Sequence, residues 1–190
     1  MDPDPYCSPL LLFAENVDFH AIAYILLLIL LFMVSALMSG SETALFSLSK
    51  SEIETFRSSR NPSEENVARL LEKPERLLAT ILIVNNFVNI GIVLIFEYLL
   101  RYYLVIEHPV LRVVVSVVLT TFLLVLFGEV LPKVYATGNY KGFSRFASGP
   151  MTVVVSLMRI FSAPFMLLSR GLEKILARRP HETLSVDNLS

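Results

Sequence analysis

Three stretches of the chain carry no charged residue: Ala21–Met38, Leu77–Phe96 and Val113–Gly128. The first two are 18 and 20 residues long. As helices they match a hydrocarbon core of about 30 Å. The pattern between them is different. In Leu45–Lys73, apolar Leu45, Leu48, Ile53, Phe56, Val67, Leu70 and Leu71 recur at roughly helical spacing among charges, the mark of amphipathic helices lying at a membrane surface. Within that segment Asn61-Pro62-Ser63-Glu64-Glu65 reads as a break and restart, with an N-cap, a first-turn proline and first-turn acids. Beyond Pro132 the stretch Phe146–Leu176 is apolar but interrupted by Pro150, Arg159 and Pro164. Its longest uncharged piece, Phe146–Met158, has 13 residues, too few to span comfortably. An interfacial or half-inserted helix is favoured there over a fourth span.

The pattern therefore predicts an all-α membrane protein. It has three transmembrane helices at about 21–41, 77–100 and 110–131, with amphipathic juxtamembrane helices at about 45–73 and 140–178. Residues 1–19 form a polar tail, and 181–190 reads as a linker.

Charge sets the expected orientation. Fourteen of the sixteen Lys and Arg residues fall in 50–76 or after Pro132, leaving only Arg101 and Arg112 in the connection between the second and third spans. The positive-inside rule then places the N-terminus outside, the C-terminus in the cytoplasm and the amphipathic segments in a cytoplasmic-side belt. A fourth span would weaken that bias. The 54% hydrophobic content exceeds that of an ordinary soluble domain. A formal net charge of −1 gives no reason to expect nucleic acid. The only cysteine, Cys7, excludes an intrachain disulfide, and no apolar stretch precedes it to suggest a lipoprotein. Phosphate-loop, zinc-protease and nucleophile-elbow motifs are all missing from the sequence, so no enzyme is expected.

Candidate chemistry lies in the polar residues that interrupt the spans, because intramembrane polar groups are costly. Pro132 has no N–H, so an α-helix through Gly128-Glu129-Val130-Leu131-Pro132 leaves the Gly128 carbonyl without its partner beside a carboxylate. Hard cations take oxygen ligands of this kind. The competing reading has Glu129 reaching cytoplasmic water and Pro132 simply ending the helix. Asn85 and Asn89, at i and i+4, share one helix face, with Asn86 beside it. They offer neutral carbonyl oxygens, or else interhelical hydrogen bonds. In Ser39-Gly40-Ser41-Glu42-Thr43, the Ser39 and Thr43 hydroxyls share a face, and Gly40 permits close approach or unwinding. A C-terminal cap followed by surface residues is the alternative. Together the three spans offer one carboxylate and several neutral oxygens, a weakly charged site of the kind transport requires. A soft metal is not expected.

Ser39-Gly40-Ser41-Glu42-Thr43-Ala44-Leu45, Asn85 to Asn89, and Gly128-Glu129-Val130-Leu131-Pro132-Lys133 resemble the transmembrane domain of the CNNM/CorC family over roughly residues 20–180. The resemblance implies a Mg²⁺ transporter of the bacterial inner membrane. Export by alternating access is the leading mechanism, with Mg²⁺ as substrate ion and Na⁺ as coupling ion. It implies a homodimer in the lipid bilayer, with ATP-binding cytoplasmic CBS domains beyond the 181–190 linker. Carried over by position, the metal ligands are Ser39, Asn85, Asn89, the Gly128 backbone and Glu129, with Ser41 and Thr43 less firmly matched. The short polar N-terminus points to a branch linked to gliding motility, for which the alternative is a non-transporting scaffold for motility or secretion machinery.

Overall fold

The computed structural model describes residues 19–103 and 108–158, and all of its regular elements there are helical. They are α1 (Phe19–Phe46), α2 (Lys50–Arg57), α3 (Pro62–Leu70), α4 (Pro74–Tyr103), α5 (Pro109–Leu123), a π-helical segment (Leu124–Val130), α6 (Leu131–Gly138) and α7 (Tyr140–Leu157). Three helices are long and apolar enough to cross a membrane: His20–Phe46, Pro74–Tyr103 and Pro109–Gly138. The chain is thus an all-α membrane protein. Leu26, Met33, Phe87, Leu94, Val118 and Phe122 stand exposed along these helices. In water that would be a liability, whereas a membrane-crossing helix is expected to present such a surface.

Two helix ends differ from the sequence expectation. The first span does not close at the Ser39–Thr43 motif, because α1 runs on to Phe46. Gly40 neither caps nor unwinds it, and no described glycine has positive φ. Its role is close approach: a Cβ there would lie 2.5 Å from Cζ of Phe143 on α7. Gly40→Val is therefore expected to push α7 off α1 at a cost of about 1–3 kcal/mol. The test is a lower melting temperature in detergent, to be compared with a near-neutral Gly138→Ala, where a Cβ meets nothing. The third span does not end at Pro132 either. The helix changes register instead: the Leu131 N–H donates to the Leu126 carbonyl, five residues back. Pro132 then stops the wider turn because it has no N–H to continue it. It would be the i+4 partner of Gly128 and the i+5 partner of Phe127, and it supplies neither.

The break inside 45–73 forms as its residues predict. Asn61 caps α3 by accepting from the Ser63 N–H at 3.0 Å, and Pro62 opens the helix. Ser49 and Glu52 form a reciprocal capping box on α2. The second amphipathic segment is helical over Tyr140–Leu157, and its expected continuation to 178 lies outside the described residues, as do the 1–18 tail and the 181–190 linker. α7 packs on α3 and α1, and Phe56, Val67, Leu77, Ala147 and Met151 share one buried core with Met38 and Leu45. The belt is thus welded to the spans by apolar packing.

Ion pairs surround that core. Arg145 reaches Glu64 at 2.7 Å, and Lys141 reaches Glu52 at 2.7 Å. Tyr140 donates to the same Glu52 carboxylate at 3.0 Å. The hydrogen bond from Lys141 is the largest effect on Glu52; those from Ser49 and Tyr140 add to it, and together they lower its pKa from 4.5 to about 2. Because the folded-state value is the lower one, this contribution is fully present above the unfolded value and disappears as pH falls toward 2. Docking of α7 on α2 should therefore be constant from neutrality down to about pH 5 and weaken below it. Amide exchange of α2 across that range checks this, and Glu52→Gln should remove the acid-side change.

Candidate cation site

α1 packs chiefly on α4, and also on the π segment and α6. The polar residues of all three spans meet where these helices cross. The center is a residue the sequence reading passed over. Ser35, fully buried on α1, holds its hydroxyl 3.1 Å from Asn85 Oδ1 and 2.9 Å from Asn89 Oδ1. Across from it the π segment brings Gly128 in so tightly that a Cβ there would stand 2.9 Å from Ser35 Oγ. Only glycine permits that approach. Ser35 was findable: it is the one serine in the run Ala21–Met38, four residues before Ser39 and therefore on the same helix face.

One turn further along α1, the buried Ser39 hydroxyl lies 3.5 Å from the Glu129 carbonyl, longer than a well-formed hydrogen bond. Glu129 is half-buried. Among the described residues no hydrogen bond or ion pair holds its carboxylate. The other acid of the region is engaged: Glu42 pairs with Lys133 at 3.1 Å, linking the last turns of α1 to α6. Asn85, Asn89 and Gly128 are thus gathered around Ser35, and Ser39 meets the Glu129 backbone one turn away. Ser41 and Thr43 are not part of this cluster. The buried Ser41 hydroxyl donates to the Leu37 carbonyl of its own helix at 2.5 Å, and Thr43 reaches back to the Ser39 carbonyl at 3.5 Å. Asn86 points outward and donates to the Leu82 carbonyl.

As the amides are turned here, one hydroxyl proton faces two amide oxygens, and turning either asparagine would bring its NH2 to Ser35 instead. Gly128 and Glu129 bring further carbonyl oxygens. Neutral oxygens from three helices thus lie close together, the ligand type that a hard cation takes. Among the described residues no group of three or more His, Cys, Asp or Glu is present; the available ligands are neutral oxygens plus one carboxylate.

A second polar group ties α4 to α5 at the opposite end of the spans. Ser116 donates to Glu97, which also pairs with Arg101 at 2.9 Å. Tyr24 of α1 and Tyr98 of α4 pack nearby with tilted rings, their centroids 4.7 Å apart. Here the carboxylate is already neutralised, so this end reads as a fastening between helices.

Comparison with known proteins agrees with this architecture. The model of the cyclin M transmembrane N-terminal domain, CNNM, matches residues 25–190. A UPF0053 protein of Haemophilus influenzae is 36% identical over 137 residues, covering 72% of this chain and 31% of its own length. The UPF0053 inner membrane protein YfjD of Escherichia coli is 29% identical over 146 residues, covering 76% of this chain and 32% of its own length. The chain spans about a third of the length of these relatives. With the family model covering the spans, the belt and all three polar motifs, this chain belongs to the CNNM transmembrane-domain family.

Proposed function

We propose that this chain is the membrane domain of a Mg²⁺ transporter and that Ser35, Ser39, Asn85, Asn89, the Gly128 backbone and Glu129 form its ion site. The observation that carries this reading is the convergence of the two Asn oxygens on the Ser35 hydroxyl, with Gly128 of the third span packed against it. An octahedral Mg²⁺ with oxygens at about 2.1 Å has neighbouring ligands about 3.0 Å apart. The Ser35–Asn89 and Ser35–Asn85 separations of 2.9 and 3.1 Å match that edge. A hydrogen bond needs the same spacing, so what favours an ion is the number of neutral oxygens that three helices bring together.

Of the eleven described Lys and Arg residues, nine lie at the belt end of the spans and two, Arg101 and Arg112, at the other. By the positive-inside rule the belt is cytoplasmic and the N-terminus outside. The inner-membrane description of the Escherichia coli relative suits a bacterial inner membrane. Export by alternating access, coupled to Na⁺, fits a site of low net charge that can bind and release. A second copy of the chain and ATP-binding CBS domains complete the proposed assembly.

The test is Mg²⁺ binding by calorimetry and Mg²⁺ flux in proteoliposomes of the full-length protein. Asn85→Ala and Asn89→Ala should each weaken binding by about tenfold, the loss of one well-placed oxygen. The reading fails if both variants bind and move Mg²⁺ like wild type. If belt substitutions such as Arg145→Ala abolish cellular function while Asn85→Ala leaves it intact, the scaffold reading takes its place.

A further inference from the structure

We propose that a basic pocket between α3, the start of α4 and α7 binds the phosphate headgroup of an anionic phospholipid in the leaflet on the belt's side. The pocket has a volume of about 240 Å³ and is lined by Arg69, Lys73, Arg76, Leu77, Thr152 and Ser156, among others. Its charges do not cancel. Arg69 is engaged by Glu65 at 2.7 Å. Glu72, the one acid in the lining, pairs with Arg57 at 3.8 Å. Lys73 and Arg76 have no ion pair among the described residues. Glu75 follows Lys73 and Pro74 in the chain but does not line the pocket. Two positive charges are left over. Arg76 adds a sharper sign: its Nε is buried and has no hydrogen-bond partner. No described residue pairs with that guanidinium, and the donor fork of an arginine suits phosphate oxygens.

Position selects the lipid over a free phosphate. α4 begins at Pro74 and is a spanning helix from there, so Lys73 and Arg76 stand at the boundary between water and hydrocarbon. Leu70, Leu77 and Val155 give the pocket an apolar wall. On α7, Val153 and Leu157 are exposed at 68% and 67%, an apolar surface for acyl chains beside the headgroup site. Basic pockets between membrane helices on the cytoplasmic side recognise acidic headgroups in this way.

Native mass spectrometry of the full-length protein in detergent, titrated with phosphatidylglycerol or phosphatidylcholine, tests the proposal. Phosphatidylglycerol should occupy a tight site that phosphatidylcholine does not. Lys73→Gln and Arg76→Gln should each weaken it roughly fivefold. Arg76→Lys should recover most of the loss, and Lys50→Gln on α2 should change nothing. Lys73 is exposed, so its substitution does not threaten folding. Equal binding of the two lipids, or wild-type phosphatidylglycerol affinity in Lys73→Gln, overturns the proposal. Displacement of phosphatidylglycerol by inorganic phosphate overturns it in favour of a free-anion site.

Discussion

Glu129→Gln is expected to abolish saturable Mg²⁺ binding and flux while leaving the protein folded. The substitution keeps size and oxygen but removes a carboxylate that no described residue pairs with, on the residue whose backbone meets Ser39. Unit charges about 4 Å apart at an effective dielectric near 20 interact by about 4 kcal/mol. A divalent ion doubles that figure, and the cost of desolvating the carboxylate offsets part of it. A loss of several kcal/mol remains, or at least a hundredfold in affinity. No described residue depends on the Glu129 side chain for a hydrogen bond or ion pair, so stability should be unchanged or slightly improved. Glu129→Asp, which keeps the charge on a shorter arm, should recover part of the binding. Calorimetry on the two variants checks the order wild type, then Asp, then Gln. Wild-type affinity in Glu129→Gln would remove the carboxylate from the site.

Gly128→Ala is the second large effect, and its cause is steric. The added Cβ would lie 2.9 Å from Ser35 Oγ and 3.6 Å from Ser35 Cβ, so the hydroxyl must rotate away or the helices must part. Either movement separates Ser35 from Asn85 and Asn89. Mg²⁺ affinity should fall by about tenfold or more, and stability by about 1–3 kcal/mol from overpacking. Removing the clashing atom gives a diagnostic double variant. Ser35→Ala with Gly128→Ala should regain the lost stability but not the affinity. That pattern of coupling in one property and not the other marks a packing contact that also positions a ligand. A Gly128→Ala protein with normal affinity would mean that the approach of the π segment to α1 serves packing alone.

The spans, the amphipathic belt and the break before α3 were legible in the sequence because each rests on local rules: uncharged runs, helical spacing of apolar residues, and Asn-Pro-Ser-Glu-Glu at a helix start. Asn85, Asn89, Gly128 and Glu129 stood out because polar groups inside apolar runs need a reason. The two helix ends were misread for a shared cause. Gly40 and Pro132 are helix breakers by propensity, but tertiary context decides their use. Gly40 admits the Phe143 ring within an unbroken helix, and Pro132 ends a π turn within a continuing one. The register change depends on how α5 and α6 pack against α1, which no local pattern encodes. Ser35 was missed because a single serine in a run of Leu, Ile and Val costs little in hydropathy. Ser41 and Thr43 share a motif with Ser39, but their hydroxyls bond back to carbonyls of α1.

The central claim is that oxygens from three helices hold a Mg²⁺ ion around Ser35. An experimental density map of the full-length protein at high resolution, with Mg²⁺ present, tests it most directly. The account predicts a single ion between α1, α4 and the π segment, with oxygens of Ser35 or Ser39, Asn85, Asn89 and Glu129 at about 2.0–2.1 Å. Ligand distances of roughly 2.3 Å or more would indicate a larger cation. An ion-free crossing, closed by a water or by a turned asparagine amide donating to Ser35, would contradict the claim outright.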